Sequence, residues 1–168
     1  MLKAKAKNEF IILARENMKR AFNSALGILG SYDDAADVSQ EAFIRAYNNF
    51  HKFDSSKKFF TWYYKILRNL CLNKIRDSKR LKEVFLEERV SDEDDIETSI
   101  EADEEKNKLS EAIMKLEAGD REIIILREFE NYSYDEISEM LEIPKGSVMS
   151  RLYYARKKLA KLFLESYE

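Results

Sequence analysis

The 168-residue chain has one cysteine, one histidine, one proline and four glycines. The lone Cys71 excludes an internal disulfide, and with the lone His51 it excludes a zinc site built from clusters of these residues, so we expect no metal and no cofactor. A sandwich or barrel that turns about every ten residues needs more glycine and proline, so the composition favours helices. The longest apolar run is the five residues 10–14. We therefore expect no membrane insertion, no secretory leader and a cytoplasmic location.

Charge of either sign is unevenly distributed, although the net charge is only −3. Residues 1–80 carry 16 basic and 8 acidic side chains, whereas residues 81–118 carry 5 and 14. Basic residues concentrate in 57–82 and again in 144–162. Two basic stretches predict two contacts with a polyanion, because steering by charge depends on local fields rather than on the total. The alternative is that lysines only solvate helix faces.

Helical spacing of apolar residues divides the chain into two blocks. It predicts helices over 9–29, about 33–49 and about 60–79, which would form an N-terminal domain, 1–82. Residues 87–105 hold eleven acids and one arginine, and we interpret 83–107 as a flexible acidic linker. The C-terminal domain, 108–168, would contain further short helices. The expected fold is therefore all-α, with two small helical domains joined by this linker.

A helix-turn-helix is predicted within the second block. Ser133 can cap a helix over about 134–141, Glu142 to Pro144 form the break, and a second helix follows from Lys145. Such a turn sets the second helix steeply across the first, so that its outer face can enter a DNA major groove. The outer face carries hydroxyl, guanidinium and ammonium groups that suit base edges and phosphates. We hypothesise that the acidic linker folds over the basic faces when the protein is free; a simple soluble tether is the alternative.

Three ordered stretches resemble the signature segments of bacterial extracytoplasmic-function (ECF) sigma factors. They are DVSQEAFIRAY at 37–47, FTWYYKILRNL at 60–70 and YDEISEMLEIPKGSVMSRL at 134–152. The resemblance implies an alternative sigma factor that binds core RNA polymerase, through its β′ clamp and β subunits, and directs it to promoter DNA for initiation. It also implies an anti-sigma factor as a partner. No catalytic residue is expected, because the chain has no phosphate-binding glycine loop and no nucleophile motif.

The resemblance assigns residues to three surfaces. The core-polymerase contacts would be Asp37, Gln40, Glu41, Ile44 and Arg45, which share one helical stripe. Recognition and melting of the −10 element would use Lys57, Lys58, Phe60, Trp62, Tyr63, Lys65, Arg68, Asn69, Asn73 and Arg76. Recognition of the −35 element would use Lys145, Ser147, Met149, Ser150, Arg151, Tyr153, Tyr154, Arg156 and Lys157.

Alternatives stay open at the level of residues and of function. Aromatic rings can replace the base stacking lost on melting, but rings at helical spacing also commonly fill cores. Glu142 stands at a turn position where the family often has glycine, which predicts slight strain. A polymerase-independent helix-turn-helix regulator would explain 120–163 and leave the first block without a role. A purely structural helical module would explain neither basic stretch.

Overall fold

The computed structural model describes residues 4–85 and 104–167, and within these two ranges it contains helices and no strands. The helices are α1 (Ala4–Leu29), α2 (Tyr32–Asn49), α3 (Phe59–Phe85), α4 (Glu104–Lys115), α5 (Ala118–Ile124), α6 (Tyr134–Leu141) and α7 (Lys145–Glu165). A 3-10 turn, Phe50–Lys52, follows α2, and a π turn, Ile125–Phe129, extends α5. The all-helical prediction is confirmed. Every helix in the described part of the chain is too short or too polar to cross a membrane.

Helices α1, α2 and α3 pack together as the N-terminal domain. The Ser31 hydroxyl accepts a hydrogen bond from the Asp34 amide at 3.3 Å and so caps α2. Small residues let the helices approach closely, and aromatic rings from all three fill the space near Phe10. This packing fixes which faces of α2 and α3 can meet a partner.

Helices α4 to α7 form the C-terminal domain, whose core lies where α5 and α6 meet α7. Most of the predicted acidic linker falls on 86–103, outside the described residues, and the fold-back hypothesis for it lies there as well. Helix α3 runs to Phe85 and α4 begins at Glu104, so both enter the limits 83–107. Helix α1 also contacts α5, and helix α3 contacts α6. The two domains therefore share an interface in this structure.

The turn of the helix-turn-helix contains a left-handed residue that is not glycine. Glu142 ends α6 at φ 56° and ψ 40°, a conformation that disfavours any residue with a Cβ atom. The Ser138 hydroxyl donates to the Ile143 carbonyl at 2.6 Å and holds the turn closed. The prediction of strain at Glu142 therefore agrees with its backbone angles.

We expect Glu142→Gly to be more stable than Glu142→Ala by about 1 kcal/mol, because only glycine adopts this conformation freely. Both variants lose the ion pair between Glu142 and Lys65, so the difference in stability between them isolates the effect of the backbone conformation. Thermal unfolding should show midpoints separated by about 2–4 °C. Equal midpoints would mean that the left-handed conformation costs nothing here.

Candidate nucleic-acid interface

The helix-turn-helix forms as predicted, from α6, the turn at Glu142 and α7. Ser133 and Glu136 make a reciprocal capping box: the Ser133 hydroxyl accepts from the Glu136 amide at 3.2 Å, and the Glu136 carboxylate accepts from the Ser133 amide at 2.9 Å. Pro144 precedes α7, and its carbonyl accepts the amide of Val148 at 3.1 Å. The inward-facing residues close the motif; they are Ile137, Met140, Leu141, Val148 and Leu152.

The outer face of α7 is open to solvent. Met149, Tyr153 and Tyr154 are each more than half exposed on this face. The remaining predicted −35 residues on this helix are Lys145, Ser147, Ser150, Arg151, Arg156 and Lys157, of which only Ser147 is partly covered. The DNA major groove admits an α-helix, and the hydroxyl, guanidinium and apolar groups on this face can contact base edges and thymine methyl groups.

Some of these side chains have local partners. The Lys145 ammonium lies 2.9 Å from the Asp135 carboxylate, and the Arg156 Nε lies 3.0 Å from the Glu128 carboxylate. The Ser150 hydroxyl donates to the Gly146 carbonyl at 3.1 Å. Ion pairs that are this exposed contribute little free energy, so DNA phosphates can compete for the same cations.

Helix α2 presents the predicted polar stripe on its solvent side. Its opposite face is buried through Ala35, Val38, Ala42 and Ala46. Asp37, Gln40 and Arg45 are exposed, and Arg45 Nε lies 2.6 Å from the partly covered Glu41 carboxylate. Ile44 is 57% exposed in the middle of this polar group. An apolar residue ringed by polar ones is typical of a protein-binding surface.

The basic side chains of the predicted −10 surface follow the loop before α3 and the first turns of that helix. Lys57 and Lys58 are exposed, while Lys65 and Arg68 are partly covered. Further along α3, Asn73 accepts a hydrogen bond from the Arg76 guanidinium at 3.0 Å. The cations among these groups can neutralise a nucleic-acid backbone, and the asparagine can form hydrogen bonds.

The three aromatic residues assigned to the −10 element lie in three different environments. Phe60 is 5% exposed and stacks on Tyr132 of the C-terminal domain, with ring centres 6.3 Å apart. Tyr63 on α3 is fully buried, and its ring stacks on that of Phe43 on α2, with ring centres 4.7 Å apart. Only Trp62 is partly open. In this conformation Phe60 and Tyr63 are therefore enclosed by protein.

An open cleft of about 320 Å³ lies beside Trp62. It is lined by Arg45, Asn49, Lys52, Trp62, Ile66 and Asn69. An indole face with amide and cationic groups around it suits an unpaired base and its phosphate. Of the predicted residues, the cleft brings Trp62 and Asn69 together with Arg45 of the α2 stripe.

Sequence reasoning missed a buried carboxylate at the centre of the domain interface. The Glu122 side chain is 3% exposed; it accepts from Arg68 Nε at 2.7 Å and from the Tyr64 hydroxyl at 3.0 Å. Burial raises the pKa of Glu122 above its ordinary value, and Arg68 and Tyr64 offset part of that rise. The available signal was a single acid directly before the apolar run 123–126. That signal does not identify the partners, which lie 54 and 58 residues away.

Two arginines at the interface were also missed. The Arg20 guanidinium lies 4.7 Å from the Phe60 ring centre and 4.2 Å from that of Tyr132. Arg121 is 7% exposed, and this burial lowers its pKa. Its guanidinium donates to main-chain carbonyls of both domains. Both arginines join elements that are far apart in the sequence.

The fold and these surfaces define a two-domain, helix-turn-helix DNA-binding protein. Residues 13–81 match Sigma-70 region 2, and residues 106–159 match Sigma-70, region 4. The chain is 34% identical over 147 residues to the ECF RNA polymerase sigma factor SigW of Bacillus subtilis strain 168, covering 80% of this chain and 78% of the relative. The chain belongs to the ECF RNA polymerase sigma factor family.

Other relatives support the family and the fold. The ECF RNA polymerase sigma-E factor of Haemophilus influenzae is 30% identical over 154 residues, covering 83% of this chain and 82% of the relative. The sigma factor RpoE of Bartonella quintana, solved with the anti-sigma factor NepR, superposes with a TM-score of 0.71 at 23% identity, over 93% of this chain and 94% of that one. CnrH, solved with the cytosolic domain of CnrY, gives 0.70 at 22% identity, over 98% and 96%. The two solved structures establish the similarity of fold.

Proposed function

We propose that this chain, as an alternative sigma factor, uses three separate surfaces in transcription initiation. The α2 stripe binds core RNA polymerase through its β′ clamp, α3 and the loop before it bind the −10 element, and the outer face of α7 reads the −35 element. The strongest support is that the two Sigma-70 regions carry these surfaces on different helices of one chain. An independent regulator needs only the third surface.

The −10 surface combines cations with an opening for a base. Lys57, Lys58, Lys65 and Arg68 supply charge, and the cleft beside Trp62 and Asn69 accepts an unpaired base. Phe60 adds a stacking face once it is uncovered. We assign Tyr63 to the packing that supports α3, because it lies wholly beneath that surface.

The proposed partners follow from this role. Core polymerase supplies the chemistry, so the chain itself needs no catalytic group and acts in the cytoplasm beside the chromosome. An anti-sigma factor is the proposed negative regulator; in a solved structure the sigma factor RpoE is in complex with the anti-sigma factor NepR, and CnrH is in complex with the cytosolic domain of CnrY.

A run-off transcription assay tests the proposal. The purified protein is combined with bacterial core polymerase on a library of promoter fragments, and core polymerase alone is the control. We expect transcripts of defined length that appear only when the protein is present. If no fragment is transcribed and the protein alone binds duplex DNA tightly, the independent-regulator interpretation replaces this one.

The −35 surface gives a second prediction, on the fragments selected by that assay. Arg151 is exposed on the outer face of α7, and we expect Arg151→Ala to weaken promoter binding by the holoenzyme about 10- to 100-fold. The measurement is a promoter-binding titration at fixed salt. Lys115→Ala on α4 removes one exposed positive charge from the same domain and serves as the control. Equal affinities for the two variants would contradict a reading role for Arg151.

A further inference from the structure

An apolar patch interrupts the polar outer face of α7. It consists of Met149, Tyr153 and Tyr154, which are 52%, 56% and 61% exposed. The two tyrosine rings meet edge to face, with their centres 5.3 Å apart. Lys145 precedes the patch, and Arg156 and Lys157 follow it. The part of the helix that is proposed to enter the major groove therefore presents apolar surface between cations.

Polar side chains around the patch are engaged within the protein. The Ser150 hydroxyl donates to the Gly146 carbonyl at 3.1 Å, and the Ser147 carbonyl lies 3.2 Å from the same oxygen. The Ser150 proton is thus directed at its own helix and not at a base edge. Lys145 is paired with Asp135 at 2.9 Å. Side chains that reach outward from 149–154 are therefore mainly the apolar patch and the Arg151 guanidinium.

Met149 and Tyr153 have the spacing of two contacts on neighbouring bases. They lie four residues apart on α7, which places their Cβ atoms about 5–6 Å apart on one side of the helix. Successive bases along one strand are about 3.4 Å apart, so the two side chains can contact base pairs one or two steps apart. The Tyr153 ring also has the Lys157 ammonium 5.4 Å from its centre, so it has a neighbour on each of two sides.

The major groove offers a matching apolar group, the C5-methyl group of thymine. Cytosine that is methylated at C5 carries the same group at the same ring position. Covering a methyl group removes apolar surface from water, whereas the bare C5 position of cytosine or uracil offers less such surface. A thioether and a phenol ring one helical turn apart therefore favour pyrimidines that carry this methyl group.

We infer that Met149 and Tyr153 are specificity-determining residues that read C5-methyl groups of pyrimidines in the −35 element. The inference rests on the proposed function and deepens it, since it names the chemical group that the −35 surface recognises. Arg151 supplies a polar contact to a base edge, and the patch selects the neighbouring positions at which a methyl group projects. Thymine is one source of this group. The other source, 5-methylcytosine, makes recognition respond to methylation of the DNA.

Replacement of thymine by deoxyuridine tests the inference, because uracil keeps the hydrogen-bonding edge of thymine and lacks only the methyl group. Each thymine of the −35 element, on either strand, is replaced singly in a duplex promoter fragment selected by the run-off assay. We expect the holoenzyme to bind about threefold to tenfold more weakly when one or two of these positions are changed. The measurement is a binding titration at fixed salt. If every position behaves like a deoxyuridine placed in the spacer, the inference is wrong.

Variants of the patch attribute the effect to these side chains rather than to DNA shape. The combined variant Met149→Ala, Tyr153→Ala should bind the thymine and deoxyuridine fragments equally. Tyr153→Phe should keep the preference for thymine, because the ring and not the hydroxyl covers the methyl group. A combined variant that still prefers thymine by the same factor would overturn the role of the patch.

Two control variants should keep the preference. Arg151→Ala should weaken binding to both fragments by the same factor, because its contact does not involve the methyl group. Met18→Ala on α1 removes a methionine of similar exposure, 55%, from the other domain, and it should change neither the affinity nor the ratio. Loss of the preference in either control would remove the assignment to Met149 and Tyr153.

A methylated fragment distinguishes the two sources of the methyl group. A cytosine–guanine pair is placed at the sensitive position, and the cytosine is either plain or methylated at C5. Tighter binding to the methylated fragment would show that the methyl group is read on either base; equal binding, with the deoxyuridine loss still present, would assign it to thymine. If run-off transcripts form without any methyl dependence, the sigma-factor role stands and this inference is wrong. If promoter transcription itself fails, the −35 assignment falls, and the inference falls with it.

Discussion

Replacing Asp37, Gln40 and Glu41 together with alanine should weaken binding to core RNA polymerase by about a hundredfold or more and abolish promoter-specific transcripts. These three side chains lie together on the solvent side of α2. Truncating a hot-spot residue near the centre of an interface costs about 2 kcal/mol or more, and each 1.4 kcal/mol is a factor of about ten in affinity. Loss of three neighbours removes most of the polar ring around Ile44.

The fold should survive this change. The buried side of α2 is formed by other residues, chiefly Val38, Ala42 and Ala46, so no core contact is lost. Alanine is a strong helix former, which protects the helix itself. A circular dichroism spectrum and an unfolding midpoint close to those of the unchanged protein should confirm this.

A matched control keeps the result specific to the α2 stripe. Glu9, Glu16 and Asn23 supply two carboxylates and one carboxamide on an exposed side of α1, the same chemistry as the tested set. Their triple alanine variant should retain polymerase binding, measured by fluorescence anisotropy with labelled protein. Equal affinities for the two triple variants would remove the docking role from the stripe.

Local signals account for the helices that the sequence predicted well. Helix α6 was predicted over about 134–141 and is observed over those residues, and α2 differs by a single residue at its start. Both begin at a serine whose side chain bonds to an amide three residues later, an interaction that lies within the reach of a short sequence window. The turn at Glu142 was also anticipated, because its position between two amphipathic segments required a break.

Composition misjudged the start of α4. The acids at 104 and 105 were assigned to the linker, yet they form the first turn of the helix. Carboxylates at a helix N-terminus are favoured by the macrodipole, and Glu104 pairs with Lys108 at 3.0 Å one turn later. The acidic end of a run can therefore form the first turn of a helix when a basic residue follows one turn later.

Tertiary contacts could not be predicted from periodicity. Helical spacing marks a residue as inward-facing, but it does not separate a ring that fills a core from one that stacks on a partner. Tyr63 packs inside one domain, whereas Phe60, three positions earlier, packs between two domains. Glu122 likewise has its partners on α3, across the domain interface. Which surface is covered depends on how the domains meet, and no short window of sequence carries that information.

Arg121→Ala should lower the free energy of unfolding by about 3 kcal/mol, because a buried cation holds two helix ends together there. Its guanidinium donates to the Ile28 carbonyl at the end of α1, and to the carbonyls of Met114 at 2.8 Å and Leu116 at 3.4 Å at the end of α4. Helix C-terminal carbonyls have no partners within their helix, and a cation satisfies both their hydrogen bonds and the dipole. Alanine leaves these acceptors in a site from which the side chain excluded water.

The measurement is thermal unfolding, in which this loss lowers the midpoint by about 6–12 °C. The midpoint of Arg121→Lys should fall between those of the unchanged protein and Arg121→Ala, since lysine keeps the charge but cannot span both domains with a planar group. Arg15→Ala on the exposed side of α1 should change the stability by less than about 0.5 kcal/mol. If Arg121→Ala and Arg15→Ala unfold at the same temperature, Arg121 does not join the two helix ends. A large loss would show that this buried guanidinium stabilises the packing of the ends of α1 and α4 against α5.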